Sequence, residues 1–249
     1  MNEDKTIAEA RQILGLDKVI DPEFISAKVN QVYTLLPNIS IGIIGVGATG
    51  GFAALGLSKT LGKYAGNITC YDPDTVSLSN VDNQIYGAMH IEMPKCTALS
   101  QIITGLGHGF LPVCINSRIT ENSFFFFDII LLAIDDREMR IKIIDSILKF
   151  SNRVKFVVTG GISNIIPNRI ELSAEAFLIS RFALPNFLDN LKNDKNANIQ
   201  YETTSCTTPG AVSIAMSLAG TYIKLVMQAY AFTTNQIDNL SHFTHQKIN

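Results

Sequence analysis

The residues with the clearest chemical role form a glycine-rich turn. Gly45, Gly47 and Gly50 occur in the order G-x-G-x-x-G, directly after an apolar run that ends at Ile44. The first glycine permits a tight turn, the second lets the backbone approach a phosphate, and the third lets a helix pack closely on a strand. Free N–H groups at the start of that helix favour an anion. The pattern predicts a phosphate-binding turn, and a turn used only for packing is the alternative.

A carboxylate follows the second predicted strand, at Asp72. In sheets that open with such a turn, a carboxylate at this position accepts hydrogen bonds from ribose hydroxyls. We therefore expect a ligand that contains adenosine. The glycine pattern and Asp72 do not distinguish NAD, FAD and ATP.

A longer stretch narrows the choice of ligand. Residues 72–84 read DPDTVSLSNVDNQ, and Pro94-Lys95 follows. This order resembles the D-x-D-x-V-x-x-S-N-x-x-R-Q … K signature of the ThiF/MoeB/HesA family, and the resemblance extends from about Ile39 to Val226. It implies an ATP- and Mg²⁺-dependent adenylyltransferase that activates the C-terminal glycine of a ubiquitin-like or sulfur-carrier protein ending in Gly-Gly. It also implies a homodimer.

The same resemblance assigns roles to individual residues. It places Asp72 on the ribose and Lys95 on the triphosphate, where a compact charge suits departing pyrophosphate. Asp135 matches the family's Mg²⁺-associated carboxylate, a hard ligand that shares the ion with phosphates, and the adjacent Asp136 competes for that role. Arg140 matches an arginine of relatives or is a helix-surface residue. The other nucleotide-site positions that the resemblance implies are Asp74, Asn80, Asn83, Gln84 and, from the N-terminal segment of a partner subunit, Arg11.

One position departs from the family signature. Asn83 stands where the family has an arginine before its glutamine. The change removes charge-assisted and bidentate hydrogen bonds that only a guanidinium supplies. A catalytically weakened scaffold or regulatory subunit is therefore an alternative. Two others are an enzyme resembling the tRNA threonylcarbamoyl-adenosine dehydratases and a nicotinamide-dependent oxidoreductase that shares only the glycine turn.

Cys206 lies in the sequence TSCTTPGAV, which resembles the family's C-x-x-x-G-V segment. The resemblance implies a cysteine that receives the activated acyl group, and a thiolate near a helix N-terminus has a lowered pKa. A cysteine without a covalent role is the alternative. Cys70, Cys96 and Cys114 are predicted to be buried. Because the chain has no C-x-x-C pair, we expect neither structural zinc nor a disulfide framework.

The elements that position these residues follow from hydrophobic periodicity. Apolar runs at 39–44, 67–71, 111–115, 128–134 and 154–158 predict strands, and helical spacing occupies the segments between them. This alternation predicts an α/β fold with a doubly wound, mostly parallel, Rossmann-like sheet. N-terminal helices would precede it and a C-terminal strand and helix extension would follow. We predict an N-terminal helical segment at 1–36, an adenylation domain at 37–232 with a mobile loop at about 185–205, and a C-terminal tail at 233–249.

Composition limits the class of partner and the compartment. The 249 residues include 20 Lys and Arg against 22 Asp and Glu, a net charge of −2 that disfavours nucleic acid. Uncharged runs at 30–58 and 203–223 are interrupted by proline, glycine and polar residues, so no membrane span is expected. The charged N-terminus lacks the apolar stretch of a signal peptide. We therefore expect a cytoplasmic protein.

Overall fold

The computed structural model describes residues 39–61, 67–106, 111–163, 173–193, 211–234 and 240–248. These residues all belong to one compact unit, Pro37–Asn249. The predicted N-terminal helical segment, Arg11 and Cys206 lie outside the described residues. The domain boundary at residue 36 stays a prediction.

A single sheet organises the described part of the chain. Its strands are β1 (Ser40–Ile44), β2 (Asn67–Tyr71), β3 (Val113–Ile115), β4 (Ile129–Leu132), β5 (Phe156–Ser163), β6 (Ser173–Ser180) and β7 (Phe243–Ile248). They lie in the order β3-β2-β1-β4-β5-β6-β7. The first five in that order are parallel, and β6 and β7 join as antiparallel strands. The chain steps outward from β1 in one direction and then starts again beside it with β4, which creates the switch point where such sheets bind ligands.

In the described residues, five α-helices accompany the sheet: α1 (Ala48–Leu61), α2 (Lys95–Gly105), α3 (Arg137–Phe150), α4 (Leu184–Asn193) and α5 (Ala211–Thr233). Ile44, Ile130 and Leu132 form one buried cluster with the apolar residues of α3 and α4. Because successive strand residues point to opposite faces, the equally buried Ile41 and Leu131 face the other side. Both faces are therefore covered, and the predicted doubly wound, mostly parallel sheet is confirmed.

Helix α4 occupies the start of the segment predicted to be a mobile loop, and for residues 185–193 that prediction is wrong. Leu184 and Leu188 are buried one helical turn apart, while Asn and Asp residues take the outer side. A polar outer face and an apolar stripe make an amphipathic helix, and the many polar residues hid that stripe. The rest of the predicted loop, to about residue 205, lies outside the described residues.

Strand β7 occupies residues 243–248 of the predicted C-terminal tail. It pairs with β6 along Ala174–Ile179. The ring of His245 stacks on Phe177 with centroids 4.6 Å apart, and Ser180 Oγ lies 3.2 Å from His242 Nδ1. His245 therefore belongs to the sheet, and His242 lies directly before β7, because the open edge of β6 offers backbone groups that a polar strand can satisfy.

Helix α5 is long and apolar enough, over Val212–Thr233, to cross a membrane by length and composition. Its residues Leu218, Tyr222 and Leu225 are buried within the protein. The helix also packs so closely on α1 that a Cβ at Gly56 would lie 2.2 Å from Ile223 Cδ1. The apolar character of α5 thus serves the core.

Candidate functional site

A cleft of about 660 Å³ opens at the carboxyl ends of the parallel strands. Its walls include Gly45 after β1, Asp72 after β2, Asp135 after β4 and Gly160 of β5. These strands flank the switch point between β1 and β4. The cleft therefore lies where a doubly wound sheet is expected to bind its ligand.

Glycine occupies the three positions of the turn for different structural reasons. Gly45 has φ of +88°, and a Cβ there would lie 2.6 Å from the Ala133 carbonyl oxygen. A Cβ at Gly50 would lie 1.9 Å from the Gly45 carbonyl oxygen, so the close contact between turn and helix α1 needs glycine. A Cβ at Gly47 would meet nothing closer than Gln84 Oε1, at 4.0 Å. Packing requires the first and third glycines, while Gly47 leaves open space on the cleft wall.

Asp72 and Tyr86 hold the glycine turn in place. Asp72 Oδ2 accepts a hydrogen bond from the Val46 N–H at 2.8 Å, and the Tyr86 hydroxyl donates to the Val46 carbonyl oxygen at 2.6 Å. Asp72 Oδ1 also accepts from the Asp74 N–H at 2.9 Å. Nothing in the sequence pattern pointed to Tyr86, because its partner lies 40 residues away.

The electrostatics of Asp72 reflect its burial. Burial raises the pKa of this carboxyl above its usual value, while the N–H groups of Val46 and Asp74 and the charge of Lys95 act in the opposite direction. Each carboxylate oxygen has two lone pairs, so both can accept a further hydrogen bond. Asp72 lines the cleft and has the chemistry that a ribose site needs.

Lys95 reaches the cleft through a short antiparallel contact between two loops. Thr75 pairs with Pro94, and the Lys95 N–H donates to the Asp74 carbonyl oxygen at 2.9 Å. The Lys95 ammonium then forms a 3.0 Å ion pair with Asp74 Oδ2. The Lys95 side chain is 10% exposed and that of Asp74 63%. The charge is therefore held beside the glycine turn by a partner that solvent or a ligand can reach.

Asp135 and Asp136 have different positions at the end of β4. Asp136 accepts a hydrogen bond from the Met139 N–H at 3.0 Å and so caps helix α3. Asp135 is exposed on the cleft wall and makes no hydrogen bond within the described part of the chain. Arg140, which also lines the cleft, is 7% exposed and donates to the Ile134 carbonyl oxygen at 2.6 Å. Arg140 is therefore a buried residue and not a helix-surface one.

The remaining predicted residues divide into one on the cleft wall and two away from it. Gln84 lines the cleft, and its Oε1 is buried without a partner among the described residues. Asn80 Oδ1 accepts from the Ser77 N–H at 3.0 Å, in a 3-10 turn that is not part of the cleft wall. Asn83 is 5% exposed and is also absent from the wall, with an unpartnered Oδ1 in the described structure.

Three cysteines lie together behind this site. Cys70 and Cys114 are register partners on adjacent strands, and the Cys96 thiol points to the Cys70 carbonyl oxygen at 3.7 Å. The neighbouring Cys70 thiol and burial raise the pKa of Cys114 to about 12. A hydrogen bond with Cys114 and burial raise the pKa of Cys96 further. Cys70 and Cys96 are buried as predicted, and Cys114 is partly buried.

The cleft also contains residues that the sequence did not single out. Arg118 follows β3, and the apolar side chains of the wall include Tyr71, Ile119, Ile134, Met139 and Ile143. A general rule could have found Arg118, because side chains just after parallel strands face the ligand. The short length of β3 obscured that position.

Comparisons with known proteins agree with this architecture. The ThiF family profile matches residues 21–248. A crystal structure of the E. coli tRNA N6-threonylcarbamoyladenosine dehydratase, TcdA, is 17% identical with a TM-score of 0.58, covering 88% of this chain and 100% of that chain. The same protein in complex with ATP is 19% identical with a TM-score of 0.57, covering 88% and 100%.

A further solved structure, PaaA, is 15% identical with a TM-score of 0.57, covering 93% of this chain and 75% of that chain. At these identities the structural likeness concerns the fold. No curated protein sequence is significantly similar to this chain.

Proposed function

The chain belongs to the ThiF family, and from that membership we propose that it uses ATP to adenylate a carboxylate. The observation that carries the proposal is the convergence of Gly47, Asp72, Lys95 and Asp135 on one cleft. These residues come from four separate segments of the chain. Together they offer an open backbone cradle, a hydrogen-bond acceptor, a cation and a free carboxylate.

Each group fits a part of ATP. The phosphates would lie over Gly47, where the missing side chain leaves room for them. Asp72 would accept hydrogen bonds from the ribose, and Lys95 would exchange Asp74 for phosphate oxygens. Gln84 would also bind phosphate oxygens, because rotation of its amide presents two N–H donors in place of the unpartnered oxygen.

The residues present also fit a magnesium ion bound together with ATP. No three His, Cys, Asp or Glu side chains gather into a metal site among the described residues. Mg²⁺ commonly uses one or two carboxylates together with substrate phosphates, and Asp135 is a carboxylate of the cleft wall that makes no hydrogen bond or ion pair within the described residues. When bound, the ion would neutralise phosphate charge.

The proposed reaction is an in-line displacement at the α-phosphorus. A carboxylate oxygen of the acceptor forms a bond to this phosphorus while the bond to the bridging oxygen breaks. The products are an acyl-adenylate and pyrophosphate. Lys95 stabilises the charge that develops on the leaving group, so catalysis comes from positioning and charge neutralisation.

For the acceptor we propose the C-terminal glycine of a small ubiquitin-like or sulfur-carrier protein. Cys206 would then attack the acyl carbon as a thiolate, form a thioester and release AMP. In a homodimer, Arg11 of the partner subunit would reach the nucleotide. The family resemblance of the segments around Cys206 and Arg11 supports these roles.

Pyrophosphate exchange tests the proposal. The full chain is mixed with ATP, Mg²⁺, labelled pyrophosphate and purified Gly-Gly carriers encoded in the same genome. We expect carrier-dependent exchange that Lys95→Gln abolishes and that Lys142→Gln, a change at an exposed lysine outside the cleft, leaves intact. ATP binding without exchange for any carrier would contradict the acceptor class.

A second candidate acceptor is a nucleoside carboxylate in tRNA. The observation that favours it is the fold likeness to the E. coli tRNA N6-threonylcarbamoyladenosine dehydratase. The net charge of −2 argues against it, because tRNA binding depends on neutralised phosphates. Gel-shift titrations with tRNA at several salt concentrations decide between the two, since a specific complex that weakens with salt would favour this candidate.

The scaffold alternative depends on Asn83. Because this side chain is buried and lies off the cleft wall, we propose that adenylation does not need a cation there. Because arginine is larger than asparagine and charged, the melting temperature of Asn83→Arg is measured first, and the exchange rate of the folded variant is expected to stay close to that of the wild type. A wild type without exchange, together with strong exchange in the variant, would identify a degenerate enzyme.

A further inference from the structure

Charged and apolar side chains both line the cleft. Asp74 and Lys95 form an ion pair near the glycine turn, and Asp135 and Arg140 add charges after β4. We call the group of apolar side chains that packs on the α3 cluster the apolar end. The apolar end consists of Tyr71, Ile119, Ile134, Met139 and Ile143, which belong to or pack against the buried cluster beneath α3. A nucleotide likewise has charged phosphates and a flat base. The apolar end therefore matches the base.

The cations of the cleft differ in what they already bind. Lys95 pairs with Asp74 at 3.0 Å, and Arg140 donates to the Ile134 carbonyl oxygen. Arg118 is exposed and, among the described residues, makes no hydrogen bond or ion pair. A guanidinium that lines a ligand-sized cleft and has no partner in the described structure is available for a ligand.

The position of Arg118 indicates which part of the ligand it meets. It follows β3 and is adjacent in sequence to Ile119 of the apolar end. The Asp72 N–H donates to the Ile115 carbonyl oxygen at 3.3 Å, so the ends of β2 and β3 are joined. A nucleotide with phosphates at β1 and ribose at β2 would extend its base toward this side, because the strand order is β3-β2-β1.

We propose that Arg118 binds the base of the nucleotide, with its planar guanidinium lying against the face of a purine seated on the apolar end of the cleft. This inference rests on the proposed function. A guanidinium is weakly hydrated and stacks on aromatic faces, whereas a lysine ammonium is a strongly hydrated point charge. Arg118 is then a binding residue for the base and takes no part in neutralising the phosphates.

Calorimetric titration of the full chain with ATP, AMP and inorganic tripolyphosphate tests this role. Arg118→Ala is expected to weaken the binding of ATP and of AMP by the same factor, about tenfold. Its affinity for tripolyphosphate should be unchanged. Arg118→Lys should recover only part of the loss, because it restores charge but not the planar group. Lys59→Ala removes an equal charge from an exposed position in the last turn of α1, away from the cleft wall, and is the matched control, with all affinities close to wild type.

Several results would overturn the proposal. If Arg118→Ala lost more affinity for ATP than for AMP, or lost affinity for tripolyphosphate, Arg118 would be a phosphate ligand. Unchanged ATP and AMP affinities in Arg118→Ala would remove it from the site. If the wild type binds neither ATP nor AMP, the proposed function itself fails and this inference fails with it. Thermal melting of unliganded Arg118→Ala should match wild type, because the side chain is exposed and makes no hydrogen bond or ion pair with the described residues.

Discussion

At the scale of single residues, the glycine turn separates the needs of folding from those of binding. Gly45 and Gly50 touch backbone so closely that no other residue fits, whereas Gly47 faces open space. In a turn used only for packing, close contacts would require glycine at all three positions. The open wall at Gly47 therefore favours phosphate binding over packing as the role of this position.

We predict opposite effects for alanine at two glycines of this turn. Gly45→Ala is expected to cost about 2 to 3 kcal/mol of folding free energy, because of its positive φ and the contact with Ala133. Gly47→Ala should fold with wild-type stability but lose ATP binding, since its Cβ would occupy the space of a phosphate. Urea unfolding and calorimetry with ATP measure the two quantities. A Gly47→Ala protein that binds ATP like wild type would contradict the cradle.

Lys95 is predicted to matter for phosphates and little for stability. Lys95→Gln should weaken ATP binding by about tenfold or more, because a hydrogen bond between charged groups is lost. The affinity for adenosine should hardly change. The ion pair with Asp74 is partly solvated, so its loss should cost at most about 1 kcal/mol. Equal weakening of ATP and adenosine would show that Lys95 supports the site only structurally.

At the scale of elements, the antiparallel addition of β6 depends on one close backbone approach. A Cβ at Gly160 would lie 2.0 Å from the Glu175 carbonyl oxygen on β6. Gly160 also lines the cleft. The pairing of β5 with β6 thus shapes one wall of the site.

Alanine at Gly160 is expected to destabilise the protein by about 3 kcal/mol, because neighbouring backbone must move. Gly220→Ala on helix α5 is the matched control, since nothing lies within 4 Å of its added Cβ. That change should stabilise by about 0.5 to 1 kcal/mol through helix propensity. Chemical unfolding of both variants measures the difference, and similar stabilities would show that the β5–β6 approach is looser than described.

At the scale of the whole molecule, a ligand that binds only the folded chain must stabilise it. ATP with Mg²⁺ at about 100 times its dissociation constant should add about 2.7 kcal/mol and raise the melting temperature by about 5 to 10 °C. NAD should produce no comparable shift, which separates this function from the oxidoreductase alternative. Thermal shift measurements provide the comparison.

The variant Asp135→Asn tests the role of this carboxylate in Mg²⁺ binding. With ATP and EDTA its melting temperature should rise as much as that of the wild type. The further rise that Mg²⁺ gives the wild type should be lost. Asp136→Asn is its neighbour control, because Asp136 caps α3. A Mg²⁺ increment that survives in Asp135→Asn but not in Asp136→Asn would reverse the assignment of the two carboxylates.

Local patterns in the sequence determined the glycine turn, the apolar parallel strands and the position of Asp72 after the second strand. Those features depend on residue type and on spacing within one or two neighbouring elements. The roles of Lys95 and Asp135 were implied by the family resemblance. Tertiary structure alone decided that Tyr86 supports the turn, that Lys95 pairs with Asp74 and that Arg118, which makes no hydrogen bond or ion pair in the described part of the chain, lines the cleft. It also decided that the polar segment 184–193 forms a helix and that 243–248 forms a strand. The apolar stripe of the helix finds the core, and the strand finds the open edge of β6, only after the chain has folded.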